Sequence, residues 1–452
     1  MLSLALRSLR HRATAFVASF LAMLLGAVMI MSFASMLDTA GGTGVSDANV
    51  ETLVTMASVV GGWSLILVLF AVTSTLSLAV RQRATEMALL KSIGATPAQL
   101  RRMILGETAV LAVAAVALAV LPGMLGGRAL LALLIDTEQV APDVTHVFGP
   151  AALSMGCGIT FVAAVGSAVL TARRTTGLRV TESLMDATAE PRRMSRKRLV
   201  GGIVFLLLAA DLAVVTATVM HGEGSDAMQT AGQTSIWASI GFALLGPVLV
   251  RRVAGLPAAP LERFGGAAGH LTVQNVRQRA HQMAGALMPI ILFTGIATGT
   301  LYMQDVDSAA IAAEGLLKND EQKSIETLNF VVIGMVVLFA AIMLINTLVA
   351  TTTYRRGEFG RQRLTGATPG QVLAMVTLES AVLTVTGVLF GAVASLFTIL
   401  PFTFARTDTV LPDSGPGTFL AIVAVAAVLT MAASLATAVR ALRIPAIEAA
   451  AV

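Results

Sequence analysis

Long apolar segments separated by short polar stretches are the main pattern along this chain of 452 residues. A helix of about 20 apolar residues, rising about 1.5 Å per residue, crosses a hydrocarbon core of about 30 Å. The segments reach this length, and none shows the strict alternation that is typical of barrel strands. The pattern predicts an all-α polytopic membrane protein with ten transmembrane helices, at about 14–36, 53–80, 107–135, 148–172, 199–220, 234–250, 281–303, 328–353, 373–402 and 417–439.

The composition agrees with this fold class. Hydrophobic residues make up 56% of the chain and charged residues 13%, and the mean hydropathy is +0.82. In an average soluble protein about a quarter of the residues are charged. The only cysteine, Cys157, lies inside a predicted span, which excludes an internal disulfide and a metal cluster held by thiolates.

Basic residues are distributed unequally between the predicted loops. With the N-terminus in the cytoplasm, 27 of the 31 basic residues fall in cytoplasmic segments, and only Arg128, Lys318, Lys323 and Arg406 fall outside. The positive-inside rule therefore predicts that both termini are cytoplasmic. Their spread over six segments, with aromatic residues only 5% of the chain, argues against nucleic-acid binding. The preference for Arg over Lys and the abundance of Ala favour a bacterial source, and so a plasma (inner) membrane.

The first apolar segment has two interpretations. It could be a cleaved signal peptide, because small residues lie near its end. However, the run from Ala13 to Met36 is longer than a typical signal sequence, and the segment Leu4 to Phe16 resembles the internal segment Leu271 to Met283. We therefore favour a retained first span.

A polar segment between two spans occurs twice. The first hinge, Arg81 to Glu107, recurs 272 positions later as the second hinge, Thr353 to Glu379. Seven key positions are identical and one exchanges Lys for Arg; the pairs are Glu86/Glu358, Lys91/Arg363, Gly94/Gly366, Ala95/Ala367, Thr96/Thr368, Pro97/Pro369, Gln99/Gln371 and Glu107/Glu379.

Each hinge has the signals of a helix, a sharp bend and a second helix. Gly94 and Gly366 suit the left-handed position that ends a helix. Thr96 to Gln99, and Thr368 to Gln371, have the form of a capping box with proline at the first helical position. The repeated charges favour a shared docking surface over a plain connection between spans.

The duplication predicts a domain organisation. Two parallel four-span repeats, at 1–184 and 268–452, flank a linker of two spans at 185–267. A four-span repeat begins and ends on the same side of the membrane, so two joining spans keep the second copy parallel to the first. This arrangement differs from that of inverted-repeat transporters.

Three polar features lie outside the hinges. Asp211 is the only acidic residue deep in a predicted span, and we favour a hydrogen bond to a neighbouring helix over an intramembrane functional site. His146 is interpreted as a solvated loop residue and not as a ligand. The acidic loop 304–327 is too short for a folded domain, and its middle is expected to form a short helix at the outer surface.

The hinge pattern resembles a known family. A span followed by arginines and Glu, a helix ending in Gly-Ala-Thr, and a second span near Glu107 or Glu379 resemble the FtsX/MacB-type permease domain of ABC transporters. The ten-span layout is similar to that of BceB-like permeases, without their large extracellular domain. The resemblance implies that each hinge carries a coupling helix that docks on an ATPase subunit, through Arg83, Glu86, Leu90, Lys91, Gly94, Arg355, Glu358, Phe359, Arg363 and Gly366.

The ATPase is expected on another chain. A P-loop needs Gly-Lys-Ser/Thr, and the four lysines here follow Leu, Arg, Leu and Gln. The sequence therefore predicts a non-enzymatic permease without a cofactor of its own, paired with two copies of an ABC ATPase that bind ATP and Mg²⁺.

The expected activity is export or extraction of a lipophilic or amphipathic substrate, such as a drug, peptide or lipid. An ATPase-driven signalling or mechanotransmission protein is the alternative. An ion-coupled secondary transporter is less favoured, because Asp211 alone is a deeply placed acidic residue.

Overall fold

The computed structural model of the chain describes residues 13–62, 68, 72–73, 75–76, 84–176, 194–224, 227–255, 263, 265–315 and 320–450. Every regular element in these ranges is helical. The helices are α1 (Ala13–Ala40), α2 (Asp47–Thr55), α3 (Ala84–Ser92), α4 (Pro97–Asp136), α5 (Pro150–Thr176), α6 (Arg196–Thr218), α7 (Ala227–Gly255), α8 (Gly266–Ala313), α9 (Asp320–Tyr354), α10 (Arg356–Leu364), α11 (Pro369–Thr407), α12 (Gly417–Leu442) and α13 (Ala446–Ala450).

Within the described ranges, eight helices are long and apolar enough to cross a membrane: α1, α4, α5, α6, α7, α8, α11 and α12. They correspond to eight of the ten predicted spans. Helix α9 covers the predicted span at 328–353, with its apolar part at Asn329–Ile345. Of the 28 residues of the predicted span at 53–80, 13 lie outside the described residues, and its beginning contains a π-helical turn, Met56–Val60. The all-helical fold is confirmed, and the ten-span count stays a prediction.

The middle of the 304–327 loop is helical as far as Ala313, as expected, but it forms the end of helix α8 and not a short helix of its own. Helix α8 runs through that region to Ala313, because the alanine-rich sequence favours helix and nothing in it breaks the preceding turn. Arg406 of α11 also stabilises this last part of α8, through ion pairs with Asp307 at 3.0 Å and Glu314 at 2.7 Å.

The chain divides into two compact units. Unit one comprises 1–190 and 319–335, and unit two comprises 191–318 and 336–452. In unit one α1, α4 and α5 pack together, with Met31 of α1 against Gly123 and Gly156. A methyl group at either glycine would collide with Met31, so the close packing of the three helices needs glycine there.

Unit two combines α8, α11 and α12 with the two joining helices. Helices α8 and α11 approach closely where Gly391 faces Thr294. Helix α7 is bound to α11 by the Thr234 and Thr398 hydroxyls, 2.6 Å apart. Inside a membrane the hydrophobic effect does not favour one neighbouring helix over another, so hydroxyl contacts of this kind help to determine which helices pack together. The domain boundaries at 184 and 267 remain a prediction.

The two hinges have the same elements at the same spacing. Helices α3 and α10 begin and end 272 positions apart, and so do the starts of α4 and α11. The predicted sequence of helix, bend and second helix is therefore present in both copies.

Candidate functional site

The bends of both hinges depend on one glycine each. Gly94 has φ +98° and Gly366 has φ +103°, in the left-handed region that glycine adopts without strain. The following amide closes each helix end: Ala95 donates to the Leu90 carbonyl at 3.0 Å, and Ala367 to the Gln362 carbonyl at 2.9 Å. The predicted helix-ending role of both glycines is confirmed.

Both capping boxes are complete. The Thr96 amide donates to Gln99 Oε1 at 2.9 Å, and the Gln99 amide donates to Thr96 Oγ1 at 3.3 Å. Thr368 and Gln371 make the same two bonds at 2.9 and 3.2 Å. These bonds satisfy amides that a helix start leaves open, so the long helices α4 and α11 begin at a fixed residue.

An apolar cluster lies beneath each short hinge helix. Met87 of α3 packs with Leu100 and Ile104 of α4, and Leu90 borders the same cluster. At the equivalent position in α10, Phe359 packs with Val372 and Val376 of α11. Each short helix is therefore held against the long helix that follows it.

Beneath the second hinge, unit two also contains a buried ionic network. The Arg355 guanidinium contacts both carboxylate oxygens of Glu379 on α11, once at 3.0 Å and once through NH1 and Oε2. The Asn275 amide group on α8 donates to Glu379 Oε1 at 2.7 Å. Glu379 is only 5% exposed. The hydrogen bonds from Arg355 and Asn275 offset the cost of burying its charge.

Glu358 of α10 extends this network. Its carboxylate lies 2.7 Å from Arg279 NH1 on α8 and 3.2 Å from Arg355 Nε. Gln362, one turn further along α10, donates to the other Glu358 oxygen at 3.2 Å. The network thus joins α8, α10 and α11 at the hinge end of unit two.

Arg355 is held in its charged form. Burial lowers the pKa of its guanidinium, but the charges and hydrogen bonds of Glu379 and Glu358 outweigh burial and leave the pKa above its ordinary value. Its guanidinium also lies 5.0 Å from the centre of the Phe359 ring.

Arg363 connects α10 to the end of α12. Its NH1 donates to the Leu442 carbonyl at 3.2 Å and to the Ile444 carbonyl at 2.8 Å. These carbonyls lie at the C-terminal end of α12, where a positive charge is favourable. Arg363 therefore binds the hinge helix to the last long helix of the repeat.

The structure brings four predicted docking residues of the second hinge together, in contacts inside unit two. Arg355, Glu358 and Arg363 bind partners within the unit, and Phe359 is buried. In the first hinge, Leu90 and Lys91 are partly buried, while Gly94 and Gly366 lie exposed at the bends. Arg83 and the side chain of Glu86 lie outside the described residues.

Sequence reasoning missed the partners of these residues. It noted Glu379 and Glu107 only as repeated positions, although an acidic residue at the start of an apolar helix is itself a signal of a buried pair. Glu107 is buried too, at the equivalent place. No local signal identified Asn275 or Arg279, because they lie about 80 to 100 residues from their partners.

The exposed tips of the hinges were missed as well. Ile93 is 80% exposed and Leu89 is 61% exposed at the end of α3. Leu364 is 57% exposed at the end of α10, where Arg361 is also exposed. These apolar side chains lie next to polar bends, so they are not buried by the hinge itself.

At the end of unit one away from the hinge, His146 lies in a loop as predicted, but its side chain is only partly exposed to solvent. Its Nε2 lies 3.1 Å from the hydroxyl of Ser35, which is fully buried in α1. Gly127 leaves the space that the ring occupies. Burial and then the charge of Arg128 lower the pKa of His146, while Asp38 raises it.

Asp38 holds the neighbouring helix start. Its carboxylate accepts bonds from the amides of Gly149, Ala151 and Ala152 at 2.8–3.0 Å. An acidic side chain at this position satisfies the open amides at the start of α5.

Asp211 is exposed on α6, and no hydrogen bond or ion pair connects it to another described residue. The favoured hydrogen bond to a neighbouring helix is thus not seen in the part of the chain that the structure describes. Within the same part of the chain, no group of three His, Cys, Asp or Glu side chains is arranged to hold a metal ion.

Comparison with known families identifies both copies of the hinge. The model of a family described as "FtsX-like permease C-terminal" matches residues 58–179 and 330–446, together more than half of the chain. The two matched segments start 272 positions apart, which is the spacing of the hinges. A comparison with curated proteins finds no match.

Proposed function

Because the chain belongs to the FtsX-like permease family, the non-catalytic membrane subunits that pair with ABC ATPases, we propose that it is a permease with two ATPase docking sites in one chain. The duplicated hinge carries this proposal: two bends with the same caps, spaced by 272 residues, each end in exposed side chains. The hinges and both termini lie in the cytoplasm of a bacterial cell in this proposal, as the basic residues favour.

The docking surface consists of the hinge tips. Leu89 and Ile93 in the first hinge, and Arg361 and Leu364 in the second, offer exposed side chains beside a rigid bend. In this proposal the bound ATPase covers these exposed apolar side chains. Glu358 and Arg355 act behind this surface and hold the second hinge helix in place.

Each tip receives one ATPase copy, so that one chain engages two. Approach of the two ATPase subunits on binding ATP moves the hinge helices, and the clusters beneath them transmit this movement to the long helices. The permease itself performs no covalent chemistry.

The proposed substrate is lipophilic or amphipathic and is taken from the bilayer. The membrane-crossing helices of the described residues present mostly apolar side chains outward. A wall of this kind offers contact to an alkyl chain and little to a hydrophilic solute.

The second candidate is a mechanotransmission protein that uses the same docking without moving a substrate. The short connections of unit one favour it, since α1 and α2 are separated by only a few residues and leave no large substrate-capturing domain there. ATP-dependent flux distinguishes the two functions.

The test uses the permease and its ATPase together in lipid vesicles. We expect the ATPase to co-purify with the permease, and ATP to drive loss of a fluorescent lipid or lipophilic dye from one leaflet. Co-purification without flux of either probe would favour mechanotransmission. Absence of co-purification would contradict the family-based proposal of an ATPase partner.

A further inference from the structure

Helix α8 is broken where it passes the second hinge. Arg279 has φ −106° and ψ 17°, which are not helical values, and it separates the segment Gly266–Gln278 from the span that follows. No proline or glycine occupies position 279, so the backbone of the break is not imposed by residue type. The side chain at the break is the one that contacts α10, through Glu358 at 2.7 Å.

The segment before the break is attached to α11. Thr272 donates to the Met375 carbonyl at 3.4 Å, and Asn275 donates to Glu379 at 2.7 Å. Both residues are buried. This segment is therefore fixed to α11, and the break interrupts the regular helix between it and the span, which packs on α11 again where Thr294 faces Gly391.

Among the described residues, two ion pairs connect the hinge helix to neighbouring helices, and they differ in strength. Arg355 and Glu379 share two contacts, with side chains 15% and 6% exposed. Arg279 and Glu358 share one contact, with side chains 27% and 17% exposed. A bidentate, less exposed pair holds its geometry better than a single, more exposed contact.

We propose that Arg355 and Glu379 form the pivot of the second hinge helix, and that the Arg279–Glu358 pair transmits its movement to the break in α8. The inference rests on the proposed docking of an ATPase at the hinge tip. Arg279 and Glu358 are positioning residues, since they contact neither ATP nor a substrate.

This assignment changes the role of Glu358. The sequence assigned it to the ATPase surface, but its two oxygens already bind Arg279, Arg355 and Gln362. A carboxylate with three donors has little capacity left for a further partner. Its charge therefore acts between helices of this chain.

The test uses the complete permease with its ATPase in lipid nanodiscs and compares Arg279→Gln with wild type. Arg279→Lys restores the charge, and Arg277→Gln is the matched control, because Arg277 is exposed on the same helix. Hydrogen exchange of the α8 amides at 280–286 is measured without nucleotide and with a non-hydrolysable ATP analogue. The readout is the difference between the two states, which a merely structural role of Arg279 would not change.

We expect Arg279→Gln to bind the ATPase as wild type does. Its ATP-dependent difference in hydrogen exchange at 280–286 should be smaller than that of wild type by at least about fivefold. Arg279→Lys and Arg277→Gln should keep it. A full ATP-dependent difference in Arg279→Gln would overturn the inference while leaving ATPase docking intact. Absence of ATPase binding by wild type would overturn the proposed function, and the inference with it.

A second variant covers the case in which Arg279→Gln does not fold. Glu358→Gln keeps the shape and the hydrogen-bonding atoms of the side chain and removes the charge. Glu358→Gln should also lose the ATP-dependent difference in hydrogen exchange at 280–286. If this variant kept the full difference, the inference would equally be overturned.

Discussion

Glu379 is the residue on which the hinge end of unit two depends most. Replacing it with Ala leaves the Arg355 guanidinium buried without its main counter-charge, and removing one partner of a buried pair costs about 3–5 kcal/mol. We expect a clearly lower melting temperature for Glu379→Ala in detergent. Glu448→Ala, at an exposed position of α13, serves as control and should melt like wild type. Equal melting of both variants would contradict a stabilising network.

His146 lies at the end of unit one away from the first hinge, and it predicts that the stability of the protein depends on pH. Its pKa in the folded protein lies below the ordinary value of 6.5, so the unfolded chain binds the proton first as the pH falls. The stability that neutral His146 contributes is complete above 6.5 and is lost as the pH drops toward the folded-state pKa.

The measurement is the melting temperature at about pH 7.5 and about pH 5.5, on either side of the ordinary histidine pKa. Wild type should lose more stability on acidification than His146→Gln, which keeps a hydrogen-bonding group near Ser35. His270→Gln, at an exposed position, should behave like wild type. An unchanged acid response in His146→Gln would refute the assignment.

For single residues, the sequence predicted contacts between close positions in the chain and missed contacts between distant positions. The roles of Gly94 and Thr96 follow from neighbours within five residues, so capping rules were sufficient. Glu358 and Arg355 also have partners on other helices, Arg279 and Glu379, and no local rule connects position 358 to 279. The contact of His146 with Ser35 was missed for the same reason, since Ser35 is 111 residues away.

Among the elements, the hinge bend is the simplest to test by substitution. At Gly366 an added Cβ meets nothing within 4 Å, so Gly366→Ala costs only the strain of the left-handed backbone. That strain is about 1–2 kcal/mol. Gly370→Ala is the matched control, because Gly370 lies in the first turn of α11 and the first hinge has Ala98 in its place.

We therefore expect Gly366→Ala to lower the melting temperature and Gly370→Ala to leave it equal or raise it. The difference between the two variants is the quantity to measure. A loss of stability of the same size in both would mean that the bend is not the strained position.

Element lengths were only partly predictable. Apolar runs located the spans, because burial in lipid requires apolar side chains over a fixed length. They did not predict that α4 and α11 begin at the hinge and run for 40 and 39 residues. A helix that continues beyond the bilayer is stabilised by caps and neighbouring helices, and hydropathy does not report these.

For the whole molecule, the proposed parallel duplication predicts that both hinges face the same side of the membrane. Single cysteines at Ser92 and Thr365, in a Cys157→Ala background, should react with a membrane-impermeant thiol reagent only from the cytoplasmic side. A cysteine at Leu411, an exposed residue before α12, should react only from outside. Reaction of the two hinge positions from opposite sides would contradict a parallel duplication.

The family and the duplication were predictable from the sequence, since the repeated hinge matches the FtsX-like permease model in both copies. The number of ATPase copies is not encoded in any single motif. It depends on whether both tips, which differ in side chains, can each bind a subunit: Ile93 and Leu89 in one, Leu364 and Arg361 in the other.

The most direct test of docking at both tips is native mass spectrometry of the permease co-expressed with its ATPase. Wild type should carry two ATPase copies, Leu89→Asp with Ile93→Asp should carry one, and the further addition of Leu364→Asp should leave none. Leu411→Asp, an exposed apolar residue at the opposite end, is the control and should keep both copies. Two bound copies in the triple hinge variant would contradict the account that the hinge tips hold the ATPase.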